Sequence, residues 1–361
     1  LILGTGLAGL RAAVEIARNL KDKADIGVIS KVQIMRSHSV CAEGGTGAVM
    51  REEEGDAFDL HAWDTVKGSD FLADQDVVDR FVEGCPKEMQ QLEHWGCPWS
   101  RREDGRIQQR PFGGHSYPRS TMAADKTGFF EMQTLYDTLT RHTTFSRYDE
   151  VFVTSILTDG KRFQGLTAFD LTTGRFLAFR GKTLIICTGG FGTLYGFTTY
   201  SQTVSGDGQI MAYRAGLALE DPEFIQFHPT GLVPSGILMT EGCRGEGGYL
   251  RNKDGERFME RYAPKMMELG PRDIVSRAET TEIEEGRGLV GPDGMEYLQL
   301  DLTHLGAEKI NKALPLIREV SMKYRGIDPI EEAIPIRPVA HYTMGGIECD
   351  INGASEFPGI W

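Results

Sequence analysis

The sequence predicts an α/β fold in which a parallel sheet is interrupted first by a small antiparallel meander and then by an inserted α+β capping domain. Three observations support this prediction. A buried strand at residues 1–3 runs directly into a glycine-rich turn and a helical pattern. A period of two, typical of half-buried strands, replaces that pattern between residues 151 and 179. The alternation of helices and strands then lapses between about residues 221 and 340.

The glycine-rich turn has the spacing of a dinucleotide-binding fingerprint. Gly4, Gly6 and Gly9 follow the first strand and precede a helix. In such a motif the first glycine permits the turn, the second lets backbone approach a pyrophosphate, and the third allows helix and strand to pack closely. The spacing alone is weak evidence, but its place between a strand and a helix predicts a Rossmann-like domain. The second strand ends in Ser30 and Lys31, where the common fingerprint has an acidic residue.

A histidine among small residues follows the second strand. His38 lies between Ser37 and Ser39, and Gly44 and Gly45 come shortly afterwards. A lone histidine is more often a core or surface residue, but small neighbours let backbone lie against a flat ring. The segment therefore predicts close contact with a planar cofactor.

The next elements complete the first domain. Helices are predicted at residues 57–66 and 74–95, and turns at residues 159–160 and 172–174 divide the meander. A buried strand at residues 183–187 ends in a second glycine pair, Gly189 and Gly190, where backbone can again approach the cofactor. A further helix begins at Asp207. This order is expected of a fold with its cofactor at the carboxyl ends of parallel strands.

The inserted region is predicted to cap the cofactor. Proline, glycine and charged loops dominate it, and the chain returns to the first domain near Tyr342. We therefore assign residues 1–220 to the first part of the cofactor-binding domain, 221–340 to the capping and substrate domain, and 341–361 to the return.

The insert is rich in the polar groups that a small dicarboxylate requires. Two carboxylates need hydrogen-bond donors at both ends, and imidazole, hydroxyl and guanidinium groups supply them. Taken singly, such residues are more often parts of solvated or structural ion pairs, and Arg272 could pair simply with Asp273. The polar groups in question are His228, Thr240, Glu241, Arg244, Arg272, Arg337 and His341.

Composition excludes several classes of protein. The 39 basic and 52 acidic side chains give a net charge of −13, which disfavours binding to nucleic-acid phosphates. The six cysteines form no CxxC pair, so neither a zinc site nor a protein-ligated iron–sulfur cluster is indicated. No apolar run approaches the roughly 20 residues that span a bilayer, so membrane association is expected to come through partners.

Together the motifs resemble the flavoprotein subunit of succinate dehydrogenase and fumarate reductase. Members carry a similar Arg-Ser-His segment whose histidine is bonded covalently to FAD, and the resemblance recurs in blocks from Gly4 to Gly346. It implies that His38 holds FAD through an imidazole nitrogen, and that Ser30 and Lys31 meet the adenosine side. The cofactor contacts given by the motifs and the resemblance are Gly4, Gly6, Gly9, Ser30, Lys31, Ser37, His38, Ser39, Gly44, Gly45, Gly189, Gly190 and Asp207.

The resemblance also implies an FAD-dependent interconversion of succinate and fumarate, with hydride exchange at flavin N5. Arg272 would be the proton donor or acceptor, and Glu241 with Arg244 would conduct protons to solvent. Arginine is normally protonated, so this role requires crowding by cations, desolvation and a relay. Cys243 has no evident base and is predicted to be a buried thiol. The residues implied to bind substrate are His228, Thr240, Glu241 and His341.

The implied partners are a separate iron–sulfur subunit, which exchanges electrons with a quinone, and membrane anchor subunits. Such a complex belongs to the tricarboxylic acid cycle or to anaerobic respiration. We expect a peripheral position on the cytoplasmic side of the cell membrane, or on the matrix side of the mitochondrial inner membrane. Nucleic acid is not an expected partner. The same groups serve succinate oxidation and fumarate reduction, so the sequence does not fix the direction.

Two alternatives remain at this stage. A soluble flavoenzyme similar to L-aspartate oxidase shares much of the cap chemistry but lacks the flavin-linking histidine, and His38 argues against it. A non-catalytic flavin-binding or assembly fragment is favoured only by the missing C-terminal portion of the family; both ends of the sequence, Leu1 and Trp361, look cut. The family continues with another substrate-binding arginine, so we expect little turnover from this chain alone and activity from a longer subunit.

Overall fold

The computed structural model describes residues 1–142 and 145–361. Its helices are α1 (Leu7–Leu20), α2 (Phe58–Gly68), α3 (Gln75–His94), α4 (Thr127–Thr140), α5 (Asp207–Arg214), α6 (Gly242–Gly245), α7 (Met259–Tyr262), α8 (Arg272–Glu282), α9 (Gly306–Ala313) and α10 (Pro315–Arg325). Its strands are β1 (Ile2–Leu3), β2 (Ile26–Ile29), β3 (Thr46–Gly47), β4 (Gln109–Arg110), β5 (Ser120–Thr121), β6 (Phe145–Tyr148), β7 (Val151–Thr158), β8 (Phe163–Asp170), β9 (Phe176–Arg180), β10 (Ile185–Ile186), β11 (Leu219–Glu220), β12 (Ile225–Leu232), β13 (Tyr249–Arg251), β14 (Leu289–Val290), β15 (Glu296–Asp301), β16 (Ile334–Thr343) and β17 (Gly346–Ile347).

A parallel sheet in the order β10-β1-β2-β6 forms the base of the first domain. Helix α1 follows β1 directly and buries Leu10, Ala13, Val14 and Ala17, which recur at helical spacing on one face. Because the strands are parallel, their carboxyl ends lie at one edge, where the glycine-rich turn begins. The predicted α/β fold is confirmed.

The predicted meander is a three-stranded antiparallel sheet in the order β7-β8-β9. Its first strand, β7, continues without interruption from Val151 to Thr158. Leu166 and Phe163 from β8 pack into a core shared with the parallel sheet. The meander therefore extends the first domain.

A second antiparallel sheet, β12-β16-β15-β13 with β14 on β15, forms the cap together with α6 to α10. A separate apolar core, including Val275 of α8 and Ile317 of α10, fills the space between these elements. Strand β16 runs continuously through residue 340, the predicted end of the capping domain. The exact boundaries therefore stay a prediction.

One contact ties the cap to the first domain at the start of α10. The carboxylate of Asp125, from the segment before α4, accepts a hydrogen bond of 2.6 Å from the backbone N–H of Leu316 and a longer one from Ile317. It thus caps orphan donors of a helix that belongs to the opposite lobe. Pro315 starts that helix and Gly326, at φ 70°, ends it.

In residues 1–142 and 145–361, no helix combines the length and apolar character needed to cross a bilayer.

Candidate active site

A cavity of about 1100 Å³ lies between the carboxyl edge of the parallel sheet and the cap. Both lobes contribute to its walls, from the turn after β1 on one side to α8 and β16 on the other. Every predicted cofactor contact except Gly9 lines this cavity, and so do His228, Thr240, Glu241, Arg272 and His341. The predicted cofactor and substrate residues therefore share one space.

The glycine-rich turn brings backbone close to the cavity. Gly4 has a φ of +106°, and a Cβ there would overlap the carbonyl of Cys187. Gly9 does not reach the cavity, and a Cβ at this position would overlap the carbonyl oxygen of Gly4. A cofactor role for Gly9 therefore stays a prediction, and what the position requires is the close approach of α1 to the turn.

Ser30, Lys31 and Asp207 lie together at one end of the cavity. Lys31 and Asp207 form an ion pair, and Lys31 also donates a 2.8 Å hydrogen bond to Ser205. The hydroxyl of Ser30 accepts from Thr5 at 2.8 Å. These residues, far apart in sequence, thus form a polar end wall of the site.

His38 lies in a short helical turn at residues 38–41 and faces the same cavity. Its Nδ1 accepts a 3.3 Å hydrogen bond from the backbone N–H of Ser201, and its ring stacks on Tyr200 with 4.9 Å between centroids. Burial lowers the pKa of His38. The imidazole is therefore neutral at pH 7, with Nε2 as the nitrogen not used by Ser201.

Small residues shape the wall around His38. Ser39 accepts a 3.2 Å hydrogen bond from the backbone N–H of Leu7, which ties the histidine turn to the start of α1. Gly45 has a φ of +124° that other residues rarely adopt. At Gly190 a Cβ would overlap the hydroxyl of Thr343. These close approaches leave a smooth cradle that fits a flat, extended cofactor such as FAD.

Sequence reasoning did not single out Glu43, although it lies between His38 and the glycine pair. Its carboxyl lines the cavity, is 7% exposed, and its Oε2 has no hydrogen-bond partner among the described residues. Burial, aided by the charge of Asp125 and opposed by Arg110, raises the pKa of Glu43 well above its usual range. Burial therefore favours the protonated form of this side chain.

A chain of charged groups starts at the cavity and runs into the cap. Arg272 Nε donates a 2.7 Å hydrogen bond to Glu241 Oε2, and Arg244 Nη2 lies 3.5 Å from the same oxygen. Burial acts to raise the pKa of Glu241, but Arg272 and Arg244 outweigh it and hold that pKa below its usual value. The carboxylate therefore stays ionised between two guanidinium groups.

Arg272 does not pair with Asp273, which instead pairs with Arg277 on the surface of α8. The simple ion-pair reading of Arg272 is therefore wrong. Arg272 also donates a 2.7 Å hydrogen bond from Nη1 to Gln226, a partner that sequence reasoning missed. Two hydrogen bonds from different nitrogens thus fix its guanidinium plane.

Arg244 and Arg337 do not line the cavity. Arg244 is buried behind Glu241, 2% exposed, so the expected exit from this residue to solvent is not present at its side chain. Arg337 lies over the ring of Phe197, with 5.8 Å between the guanidinium carbon and the ring centroid. Cys243 is fully buried, and burial raises the pKa of its thiol, as expected of a non-nucleophilic cysteine.

Two histidines, from β12 and β16 of the cap sheet, face each other in the cavity. The ring centroids of His228 and His341 are 4.9 Å apart. The Nδ1 of His228 accepts a 3.1 Å hydrogen bond from the backbone N–H of Thr230, and its buried Nε2 has no partner among the described residues. The Nδ1 of His341 lies 2.8 Å from the hydroxyl of Thr199, another contact that no local pattern in the sequence indicated.

Burial, together with the positive charge of Arg272, keeps both imidazoles neutral. These effects lower the pKa of His341 to about 3 and that of His228 well below its usual value. Thr240 is 1% exposed and lies at the same end of the cavity. The arrangement offers neutral donors and one guanidinium to a small anion.

Comparison with known proteins identifies the family of the chain and proteins that are similar to it along its length. Residues 1–360 match the family model described as an FAD binding domain. The whole chain is 49% identical to the fumarate reductase flavoprotein subunit of Mycobacterium tuberculosis and covers 63% of it. Over 98% of its length it is 43% identical to the succinate dehydrogenase flavoprotein subunit of Rickettsia bellii, of which it covers 60%.

Solved structures agree with these sequence matches. The chain aligns over its full length with a chain of Escherichia coli quinol fumarate reductase, with a TM-score of 0.95 and 47% identity, and covers 63% of that chain. With a chain of Mycobacterium smegmatis Sdh1 the TM-score is 0.80 and the identity 36%, over all of this chain and 62% of the other. The chain thus spans about three fifths of the length of the curated relatives it matches.

Proposed function

Because the chain belongs to the FAD binding domain family and is similar along its length to fumarate reductase and succinate dehydrogenase flavoprotein subunits, we propose that it carries succinate–fumarate chemistry. The observation that carries the proposal is a single cavity lined by both His38 and Arg272. A flavin site alone would not need a guanidinium linked to a buried carboxylate. A dicarboxylate site alone would not need the glycine cradle.

The residues of the first lobe fit FAD. The turn at Gly4 and Gly6 would hold the pyrophosphate at the start of α1, and the end wall formed by Ser30, Lys31 and Asp207 would meet the adenosine side. Bound FAD would supply the hydride acceptor for succinate oxidation, or the hydride donor for fumarate reduction.

His38 is the proposed point of covalent attachment. The ring is neutral, and its Nδ1 lone pair is engaged by the backbone N–H of Ser201, so Nε2 carries the proton and would lose it when the bond to the flavin forms. Attachment would therefore use Nε2. The stacked ring of Tyr200 would hold the imidazole plane in place.

The cap residues are proposed to bind the substrate carboxylates. In His228, the backbone N–H of Thr230 occupies Nδ1, so Nε2 carries the proton and donates toward the anion. Thr199 would hold His341 in the equivalent state. Because these imidazoles stay neutral near pH 7, their protonation state does not change with pH in that range. The affinity for the dianion should therefore be steady across neutral pH.

Arg272 is the proposed proton-transfer residue. When succinate loses a hydride from one carbon, the adjacent carbon gives its proton to Arg272 while Arg272 passes one of its own protons to the Glu241 carboxylate. Fumarate remains, Arg272 keeps its positive charge, and Glu241, held between Arg272 and Arg244, carries the extra proton. Fumarate reduction runs the same transfers in the opposite sense.

Electrons would leave or enter the flavin through a separate iron–sulfur subunit that exchanges them with a quinone. Anchor subunits would then hold this chain at the membrane surface, on the cytoplasmic or the mitochondrial matrix side. The similarity to a quinol fumarate reductase chain supports this assembly.

The test uses protein expressed from its native gene and loaded with FAD. We expect flavin absorbance to remain with the protein after acid precipitation, succinate to reduce an artificial dye, and reduced viologen to be oxidised by fumarate. L-Aspartate in place of succinate is the control substrate. Extractable flavin with aspartate-dependent reduction would indicate the aspartate oxidase class, and attached flavin without any turnover would indicate a non-catalytic flavin protein.

A further inference from the structure

The proton relay of the proposed function has no visible continuation at Arg244. Arg244 is buried, its Nη1 donates a 2.6 Å hydrogen bond to the backbone oxygen of Glu268, and its Nε and Nη2 make no hydrogen bond with the described residues. A proton that reaches this guanidinium therefore needs a further group before it can leave the protein.

A buried carboxyl lies on the cap helix that begins with Arg272. Glu279 follows Arg272 by seven residues on α8, so the two side chains share one face of the helix, two turns or about 10 Å apart. Glu279 has no exposed surface, and neither of its oxygens has a hydrogen-bond partner in the described part of the chain. The charge of Arg244 lowers the pKa of this carboxyl and so opposes the larger effect of burial.

We propose that Glu279 is the next proton-carrying residue after Arg244, so that the relay runs from Arg272 through Glu241 and Arg244 to Glu279. This inference rests on the proposed function. Unpaired donors on Arg244 and unpaired acceptors on Glu279 are complementary, and one buried water between them would satisfy both groups and make the path continuous.

The protonation state of Glu279 suits a proton store. Burial raises the pKa of Glu279 well above its usual range, and the charge of Arg244 opposes this only in part. In fumarate reduction, neutral Glu279 gives its proton toward Arg244 while Arg244 passes one to Glu241 and Glu241 passes one to Arg272. Each arginine remains protonated afterwards, the substrate carbon gains one proton, and Glu279 is left as a carboxylate. Succinate oxidation refills it by the reverse steps.

The same helix leads to the protein surface. Glu282, one turn after Glu279, accepts hydrogen bonds from Arg261, Arg287 and the hydroxyl of Tyr262, at 2.6 to 2.8 Å. The side chain of Arg261 is 44% exposed. Helix α8 therefore begins at the cavity with Arg272 and ends in a polar cluster that reaches solvent through Arg261, and we expect Glu279 to be reprotonated from this cluster.

A proton-carrying role and a purely structural role of Glu279 predict different effects of its substitution. A buried carboxyl without partners is a stability cost, so its replacement by an uncharged side chain of the same shape leaves the fold intact. Glu279→Gln keeps the shape and the neutral charge but cannot release a proton. Glu279→Asp keeps an acid on a shorter stem. Glu131→Gln is the matched control, because Glu131 is also buried, with a pKa raised to about 7, and lies outside the relay.

The measurements are fumarate reduction, succinate oxidation, the solvent deuterium isotope effect and bound flavin, on flavin-loaded protein expressed from its native gene. We expect Glu279→Gln to lower kcat about tenfold or more with KM unchanged, because a lost proton-transfer group typically costs at least that much. Its solvent isotope effect should rise, Glu279→Asp should recover part of the rate, and the control should match the parent.

Three results would overturn the inference. An active parent together with a Glu279→Gln rate within about twofold of it would remove Glu279 from the relay while leaving the proposed function intact. A Glu279→Gln protein that fails to fold or to hold flavin would show a structural role. A parent without succinate or fumarate turnover would refute the proposed function, and the inference would fall with it.

Discussion

Replacing Arg272 by lysine separates positive charge from guanidinium geometry. The arginine donates two hydrogen bonds from different nitrogens, Nε to Glu241 and Nη1 to Gln226, each at 2.7 Å. Lysine keeps the charge but presents a single ammonium on a flexible stem. It can therefore donate a hydrogen bond to one of these two acceptors, and the hydrogen bond to the other is lost.

The size of the effect follows from those contacts. A hydrogen bond to a charged group contributes about 1.5–3 kcal/mol, which corresponds to roughly 10- to 150-fold in the positioning of the proton-transfer group. Loss of a positioned general acid or base costs a further factor of about 10²–10⁴. We therefore expect Arg272→Lys to lower turnover at least about 1000-fold in both directions.

The assay compares succinate-dependent dye reduction and fumarate-dependent viologen oxidation in parent and variant. Flavin that remains with acid-precipitated protein, and an unchanged melting temperature, would show that the site is otherwise intact. Arg277→Lys is the matched control, since Arg277 lies on the same helix, is 71% exposed and pairs with Asp273 at the surface. A variant at Arg272 that retains rates within a few-fold of the parent, with flavin in place, would refute the assignment.

Three further substitutions test other parts of the site. His38→Ser should leave FAD bound but extractable by acid precipitation, and succinate oxidation should fall more than fumarate reduction; flavin that stays attached would disprove the linkage. His341→Gln should reduce acid lability. The pKa of His341 is about 3 in the fold, below the usual value of 6.5, so its contribution to stability is present above pH 6.5 and is lost as the pH falls toward 3. Melting temperatures at pH 7.5 and 5 should therefore differ less in this variant than in the parent. Gly9→Ala should lose FAD, because a methyl group would overlap the carbonyl of Gly4, whereas Gly196→Ala, where a Cβ meets open space, should retain it.

Much of the first lobe could be predicted because its signals are local. The glycine spacing after β1, the change of period at β7, and the glycine pair after β10 each reflect a backbone requirement that a short stretch of sequence must meet. The fingerprint does not distinguish a glycine that faces the cofactor from one that lies against neighbouring backbone, as Gly9 does.

The partners of the catalytic candidates could not be predicted, because they join residues that are distant in sequence. Gln226 reaches Arg272 across 46 residues, and Thr199 reaches His341 across 142. No local period encodes such contacts. The burial of Arg244 could not be predicted either. This residue was expected at the solvent end of the relay, yet the packing of the cap encloses it.

Four consecutive residues, 198–201, touch the two ends of the site. The backbone of Ser201 and the ring of Tyr200 hold His38, while Thr199 holds His341 and Thr198 donates a 2.9 Å hydrogen bond to the carbonyl of Ala340. Local unfolding of this one tetrapeptide would remove the partners of His38 and His341 at the same moment. We therefore expect a perturbation of this segment to disturb the two predicted half-sites together.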